Sequence, residues 1–202
     1  MKTCAYAGGV FPELRSHPWL ASTTDLRARY YDFTASPQLI RSVLEDFVPW
    51  RHYGAIDTFY ALLQRLNHVR SAFETNDCEF TGPHANDQPE IQKAFGCSGR
   101  LMLLFRALEQ NTVEGSVASL QHALHSNLSE LDEAFDWGLV GTTLVPTRYL
   151  ALPESDDQQL GSQLMISFWA WGDSEAETML NLGRLFANLS RALRNLSVRG
   201  TT

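Results

Sequence analysis

Apolar positions along this chain follow two rhythms. Leu101, Leu103 and Phe105 alternate with Met102, Leu104 and Arg106, and Leu164, Ile166 and Phe168 alternate with Met165, Ser167 and Trp169. A period of two marks a strand, whose successive side chains point to opposite faces. Downstream of each run the period lengthens. Val113, Val117, Leu120, Leu124 and Leu128 are spaced by 4, 3, 4 and 4 positions, the stripe of a helix over about residues 112–128. Met179, Leu182, Phe186, Leu189 and Leu193 form a second stripe. It predicts a helix over about residues 174–196, with Ser174 and Glu177 at capping-box spacing at its start.

The two strand–helix pairs resemble each other. "RLMLLFRAL" (Arg100 to Leu108) and "QLMISFWAW" (Gln163 to Trp171) share Leu, Met, Phe and Ala at matching places, 63 positions apart. A further strand pattern precedes each: residues 72–81 before the first, and residues 139–150, rich in β-branched side chains, before the second. Pro83 and Pro146 keep the same offset. The chain therefore reads as a β-β-α unit at about 71–130, repeated at about 137–197, an internal duplication. Residues 1–70 read as an N-terminal β-α-α segment. It has a strand near 25–33, then a helix capped by Ser36 with Pro37 at its first position. Leu39, Ile40, Val43, Leu44 and Phe47 line that helix's inner stripe, and a second helix spans about 55–69. No Pro/Gly-rich linker separates these parts. The expected architecture is one α+β domain over 1–202, a mostly antiparallel sheet with helices packed on it.

Alternation splits the repeated strands into two faces. One carries Leu101, Leu103, Phe105 and Ala107 in the first copy and Leu164, Ile166, Phe168 and Ala170 in the second. It is apolar in both and should meet the helices. The other carries Met102, Leu104, Arg106 and Leu108, then Met165, Ser167, Trp169 and Trp171. Met, Trp and Arg are enriched at interfaces. This second face is either covered by the N-terminal helices or left to receive a partner.

Composition narrows the class. The chain has 202 residues, 44% of them hydrophobic, and a net charge of -7, enough for a sizeable core. Its acidity opposes nucleic-acid binding. The tightest basic grouping, Arg184, Arg191, Arg194 and Arg199, reads as a solvated face near the end of the last helix. No segment approaches the ~20 apolar residues of a membrane span, and the first twenty residues lack the apolar run of a signal peptide. Cys4, Cys78 and Cys97 form neither a disulfide framework nor a C-x-x-C pair. The expectation is a soluble, cytoplasmic protein of a reducing compartment. The Asn-Leu-Ser triplets at Asn127, Asn188 and Asn195 then read as chance matches.

Candidate chemistry concentrates in "FETNDCEFTGPHAND" (Phe73 to Asp87). Strict alternation places Glu74, Asn76, Cys78 and Phe80 on one face and Phe73, Thr75, Asp77 and Glu79 on the other. Asp77, Cys78 and His84 are the types a thiol nucleophile uses with its base and orienting group. Cys78 and His84, with Glu74 and Asp77, are also metal-ligand types. The plainer reading has Asn76 and Asp77 tying down a strand end beside a turn region, with Cys78 a small buried residue. His122 and His125, three positions apart, read as solvated. P-loop, G-x-G-x-x-G, H-E-x-x-H and G-x-S-x-G patterns are missing from the sequence.

Two functions in different classes fit. One is a binding or accessory module that engages a protein or peptide at a sheet edge or at the Trp/Arg-bearing face, through Glu74, Asn76, Asp77, Asn86, Arg106, Trp169 and Trp171. The other is a small metal- or thiol-dependent enzyme centred on Asp77, Cys78 and His84. Self-association through the Trp-rich face is a third use of the same surface. Cofactor and substrate stay open.

Overall fold

The computed structural model describes residues 2–5, 14–18, 31–131, 135–153 and 159–199, and among these six strands and four α-helices follow one another along the chain. The strands are β1 (Lys2–Ala5), β2 (Arg15–His17), β3 (Phe73–Ala85), β4 (Phe95–Phe105), β5 (Gly138–Tyr149) and β6 (Leu160–Gly172). The helices are α1 (Ile40–Val43), α2 (Gly54–Leu66), α3 (Ser116–Ser129) and α4 (Glu175–Arg199), and short 3-10 turns occupy Pro37–Leu39, Glu45–Trp50 and Leu108–Asn111. The order confirms an α+β chain with a mostly antiparallel, mixed sheet.

The strand order is β1-β5-β6-β4-β3, with β2 also on β5. β3, β4, β6 and β5 pair antiparallel, while β1 and β2 run parallel to β5. At the centre of the sheet Met102 lies opposite Met165. These are the matching residues of the two similar strands, so β4 and β6 pair about a local twofold. The β-β-α order recurs as β3-β4-α3 and β5-β6-α4. The helices differ in length, 14 residues against 25, and element order alone does not establish a duplication.

All the long helices lie on one side. Leu101, Leu103, Leu164, Ile166, Phe168 and Ala170 are fully buried in a cluster with Leu120 and Leu124 of α3, Phe59 and Leu63 of α2, and Leu182, Phe186 and Leu189 of α4. This is the face that alternation assigned to the helices. Ala107 is the exception: it lies past the end of β4 and is exposed. α2 and α4 run side by side in the same direction. Ala55 meets Gly183, the Phe59 and Phe186 rings are 4.8 Å apart, and Arg65 donates to Ser190 Oγ at 2.7 Å. The N-terminal helix α2 therefore widens the first helical layer and does not cover the second sheet face. Burial of Ile56, Phe59, Tyr60, Leu62, Leu63 and Leu66 makes the reason visible: the apolar stripe of α2 is broad enough to meet both the sheet and α4.

Several expected boundaries move. The 55–69 helix stops at Leu66, because Asn67 caps it and bonds across to Thr75 through Nδ2 (2.8 Å) and Oδ1 (3.1 Å). Val69 is left 70% exposed. Val113 lies outside α3 and is 61% exposed, since Gly115 at φ 75° opens that helix. Ser36 makes no side-chain cap. Asp32 makes the local turn, its Oδ1 accepting from Thr34 N (2.8 Å) and Ala35 N (2.9 Å). Tyr31 to Phe33 are not strand, and residues 25–30 of that expected strand lie outside the described residues. His125 is not solvated: it packs on β5 with Nε2 2.6 Å from Thr142 Oγ1, and burial pulls its basicity down.

Candidate binding cleft

The polar stretch in β3 is built around a bulge. Pairing with β4 breaks between Thr75 and Cys78, so one extra residue enters β3. That insertion flips the alternation the sequence predicts. Phe73, Thr75, Cys78 and Phe80 turn to the helical side, and Glu74, Asn76, Asp77 and Glu79 gather on the opposite face. There they meet β2. Arg15 Nη1 donates to Asp77 Oδ2 at 3.0 Å, and His17 sets Nε2 3.1 Å from Glu74 Oε1 and Nδ1 3.2 Å from Asn76 Oδ1. Arg100 Nη2 bridges Glu79 (2.6 Å) and Asp77 (3.4 Å), and Asn76 Nδ2 donates to Gln163 Oε1 at 3.2 Å.

β2 and β3 lie at opposite ends of the strand order, four steps apart. In a flat sheet that is about 19 Å, from ~4.8 Å per strand, farther than these side chains reach. The sheet therefore coils, and the cluster clasps its two edges together across the second face. Beneath the clasp Tyr149 is buried with Leu104 and Leu152, its hydroxyl donating to Ser162 O at 2.8 Å. Burial, with the Glu74 charge nearby, raises the Tyr149 phenol above its ordinary range. Gln163 Nε2 and Arg100 Nε are buried here with no hydrogen-bond partner among the described residues.

The catalytic candidates are not brought together. Asp77 is engaged by Arg15 and Arg100 on the clasp side. Cys78 packs against the core on the other side, where burial and then the Asp77 charge push its thiol well above the usual range. His84 is exposed and pairs through Nδ1 with Gly82 O at 2.9 Å. Cys97 is 1% exposed, its thiol pushed up to about 12 by burial. Among the described residues no group of three or more His, Cys, Asp or Glu is placed to hold a metal ion.

Two binding candidates are committed to scaffolding. Arg106 donates to Ser71 O, His68 O, Phe73 O and Thr34 Oγ1. It fastens the segment around residue 34 and the 68–73 turn to the end of β4, away from the tryptophans, so an Arg106/Trp169/Trp171 groove does not form. Asn86 Nδ2 faces Ile91 O (2.9 Å), Lys93 O (2.9 Å) and Gln88 O (3.3 Å), while its Oδ1 accepts from Gln88 N (3.2 Å). One amide thus folds the whole β3–β4 loop.

That loop forms one wall of a cleft of about 320 Å³, lined by Glu90, Ile91 and Gln92 of the loop, Lys2 of β1, Asp136, Trp137 and Leu139 at the start of β5, and Trp171 of β6. Trp171 is wedged against Gly96, where a Cβ would come within 3.1 Å of the indole. Its backbone N–H donates to Trp137 O at 3.1 Å. Trp137, 36% exposed, carries Lys93 over its ring at 4.6 Å. Lys93 Nζ donates to Asp173 (2.6 Å) and Glu177 (3.0 Å), and these bonds, Asp173 first, raise its basicity. Glu177 Oε2 also accepts from Asp173 N at 2.8 Å, which with Lys93 lowers its carboxyl. Every wall is held in place before anything binds. Trp169 is only partly buried on the same sheet face, opposite Leu139 and Ser98.

Of the cleft, sequence reasoning reached Trp171 alone. Trp137 sits beside the start of β5, and only its indole next to a strand onset hinted at a role. Glu90, Ile91 and Gln92 carry no signal of their own in the sequence, because the bonds that fold them radiate from one asparagine several residues away. Comparison of the chain with protein-family models, with curated proteins and with solved structures finds no match.

Proposed function

We propose that this protein is a binding or accessory module that engages a segment of another protein at the Trp137–Trp171 cleft. The preformed cleft itself carries the reading. It is concave, walled by two indoles, Leu139 and Ile91, and rimmed by a few polar groups, the make-up of a recognition site. Its size suits one bulky side chain with part of its backbone. Tryptophans in such settings anchor interfaces.

The β3 edge supports the reading less well. Two register breaks and Pro83 interrupt its ladder, and Asp77 and Glu79 place charge along it. These are the devices by which edge strands avoid pairing. A thiol enzyme gains no support from Cys78 or Cys97, both held protonated by burial.

The test is co-purification from the protein's own source under mild conditions, wild type against Trp137→Ala. Trp137 is exposed enough to be truncated without opening the core. The proposal expects a polypeptide that accompanies the wild type and is lost from the variant, with the melting temperature little changed. A partner kept in full by Trp137→Ala would refute it. A second copy of this chain as the bound species would replace it with self-association.

A further inference from the structure

We infer that the group seated in this cleft is a cation on an aliphatic stem, the side chain of an arginine or lysine presented by the partner. The inference rests on the binding-module reading and adds the chemistry of its ligand. Three features of the cleft agree on it.

The first is the wall. Indole faces attract cations through the ring quadrupole, and Trp is the strongest of the aromatic side chains in this respect. Trp137 and Trp171 both line the space. Trp137 is the more open of the two at 36% exposed against 7% for Trp171, and beside it the methylenes of a long side chain can lie with the charged head directed outward.

The second is the charge. Glu90 and Asp136 both line the cleft, and among the described residues neither carboxylate makes an ion pair or hydrogen bond. Lys2, the other charged lining residue, forms an ion pair with neither of them. The lining thus carries an excess of one negative charge, in a chain whose net charge is -7. Both carboxylates are exposed.

The third is an internal precedent. Lys93, which does not line the cleft, sits over the Trp137 ring at 4.6 Å with its Nζ held by Asp173 and Glu177. One lysine, one indole and two carboxylates already form a working cation site here. The cleft lining brings together the same kinds of group, indole and carboxylate, and shares Trp137 with that site. A guanidinium fits the flat indole walls at least as well as an ammonium, because it stacks on aromatic faces.

The experiment uses the full chain, labelled with nitrogen-15, and follows the indole N–H signals of its five tryptophans. The signals are assigned by single Trp→Phe variants. The probes are N-acetyl-L-arginine amide and N-acetyl-L-lysine amide, with N-acetyl-L-norleucine amide as a neutral control of similar length. The cationic amides should shift the Trp137 and Trp171 signals saturably, and norleucine amide should bind about tenfold more weakly. Glu90→Gln with Asp136→Asn should abolish that preference and leave the thermal midpoint unchanged, since both side chains are exposed and unpaired. Equal binding of norleucine amide would overturn the inference while the cleft remained a binding site. If none of the amides moves the two signals, the inference also fails, and the binding-module reading is then decided by the co-purification result alone.

Discussion

Asn86 offers a way to disturb the cleft without touching its lining. Its amide has two hydrogens facing three carbonyls, at 2.9, 2.9 and 3.3 Å, and its oxygen accepts one backbone N–H at 3.2 Å. Two hydrogens make at most two good bonds at once, so the side chain contributes about three. At a net ~1 kcal/mol each, reduced because the loop is half open to water that can rebond the freed carbonyls, Asn86→Ala should cost about 2 kcal/mol. For a chain of this size that is roughly a 4–8 °C fall in melting temperature. Asn86→Asp should be worse at neutral pH. It keeps the acceptor for Gln88 N but aims a carboxylate at three carbonyl oxygens. Its deficit relative to Ala should shrink once the pH falls below ~4 and the carboxyl takes a proton. Both variants should weaken binding at the cleft, because Glu90, Ile91 and Gln92 lose their anchor. Calorimetric melts of parent, Ala and Asp proteins at two pH values decide the matter. An Ala variant as stable as the parent, or an Asp variant more stable than Ala at pH 7, would refute the reasoning.

Other consequences are open to direct measurement. Cys97 should react with a thiol reagent at pH 8 about a thousandfold more slowly than a thiol of ordinary pKa 9.0, given its rise to about 12, and Cys78 should also be strongly slowed; fast labelling of Cys78 in the folded protein would reopen the nucleophile reading. The Lys93–Asp173–Glu177 clamp has a defined pH window. Glu177, lowered from 4.5, contributes stability above that value and loses it as pH falls through its folded pKa, while Lys93, raised from 10.5, contributes below that value and loses it as pH rises through its folded pKa. The Trp137 indole signal should therefore hold steady between these limits and move outside them; a transition near neutrality would show that another group controls it. Phe186→Ala removes a wholly buried ring packed on Phe59 and Phe168 and should destabilise by about 3–5 kcal/mol in denaturant melts, whereas a loss below 1 kcal/mol would mean that the α2–α4 layer is not packed as described.

The fold was legible wherever one periodicity had one cause. Leu164, Ile166, Phe168 and Ala170 alternate cleanly because a single buried face selects them, and all four are fully buried. The stripe of α4 was legible for the same reason. What failed were positions governed by distant partners. The bulge at Asn76–Asp77 inverted the face assignment of β3, since one inserted residue leaves no mark on composition. Arg106 looked like an interface arginine but is spent on backbone carbonyls brought close only by the fold. The clasp of β2 on β3 joins residues about sixty positions apart, and its pairing with β5 joins residues more than a hundred apart, which no local pattern encodes. Of the cleft only Trp171 was legible, as an aromatic on the second face, while Trp137, Glu90 and Asp136 acquire meaning only when β1, β5, β6 and the β3–β4 loop converge.

The central claim is that the Trp137–Trp171 cleft, with its acidic rim, is where a partner docks. Native mass spectrometry of the protein purified gently from its own source tests it most directly, comparing wild type with a Glu90→Lys, Asp136→Lys variant whose melting temperature is first shown to be unchanged. The account predicts a complex with a different polypeptide for the wild type and the mass of the bare chain for the variant. A wild-type chain that carries no partner, or a variant that keeps it, would contradict the account.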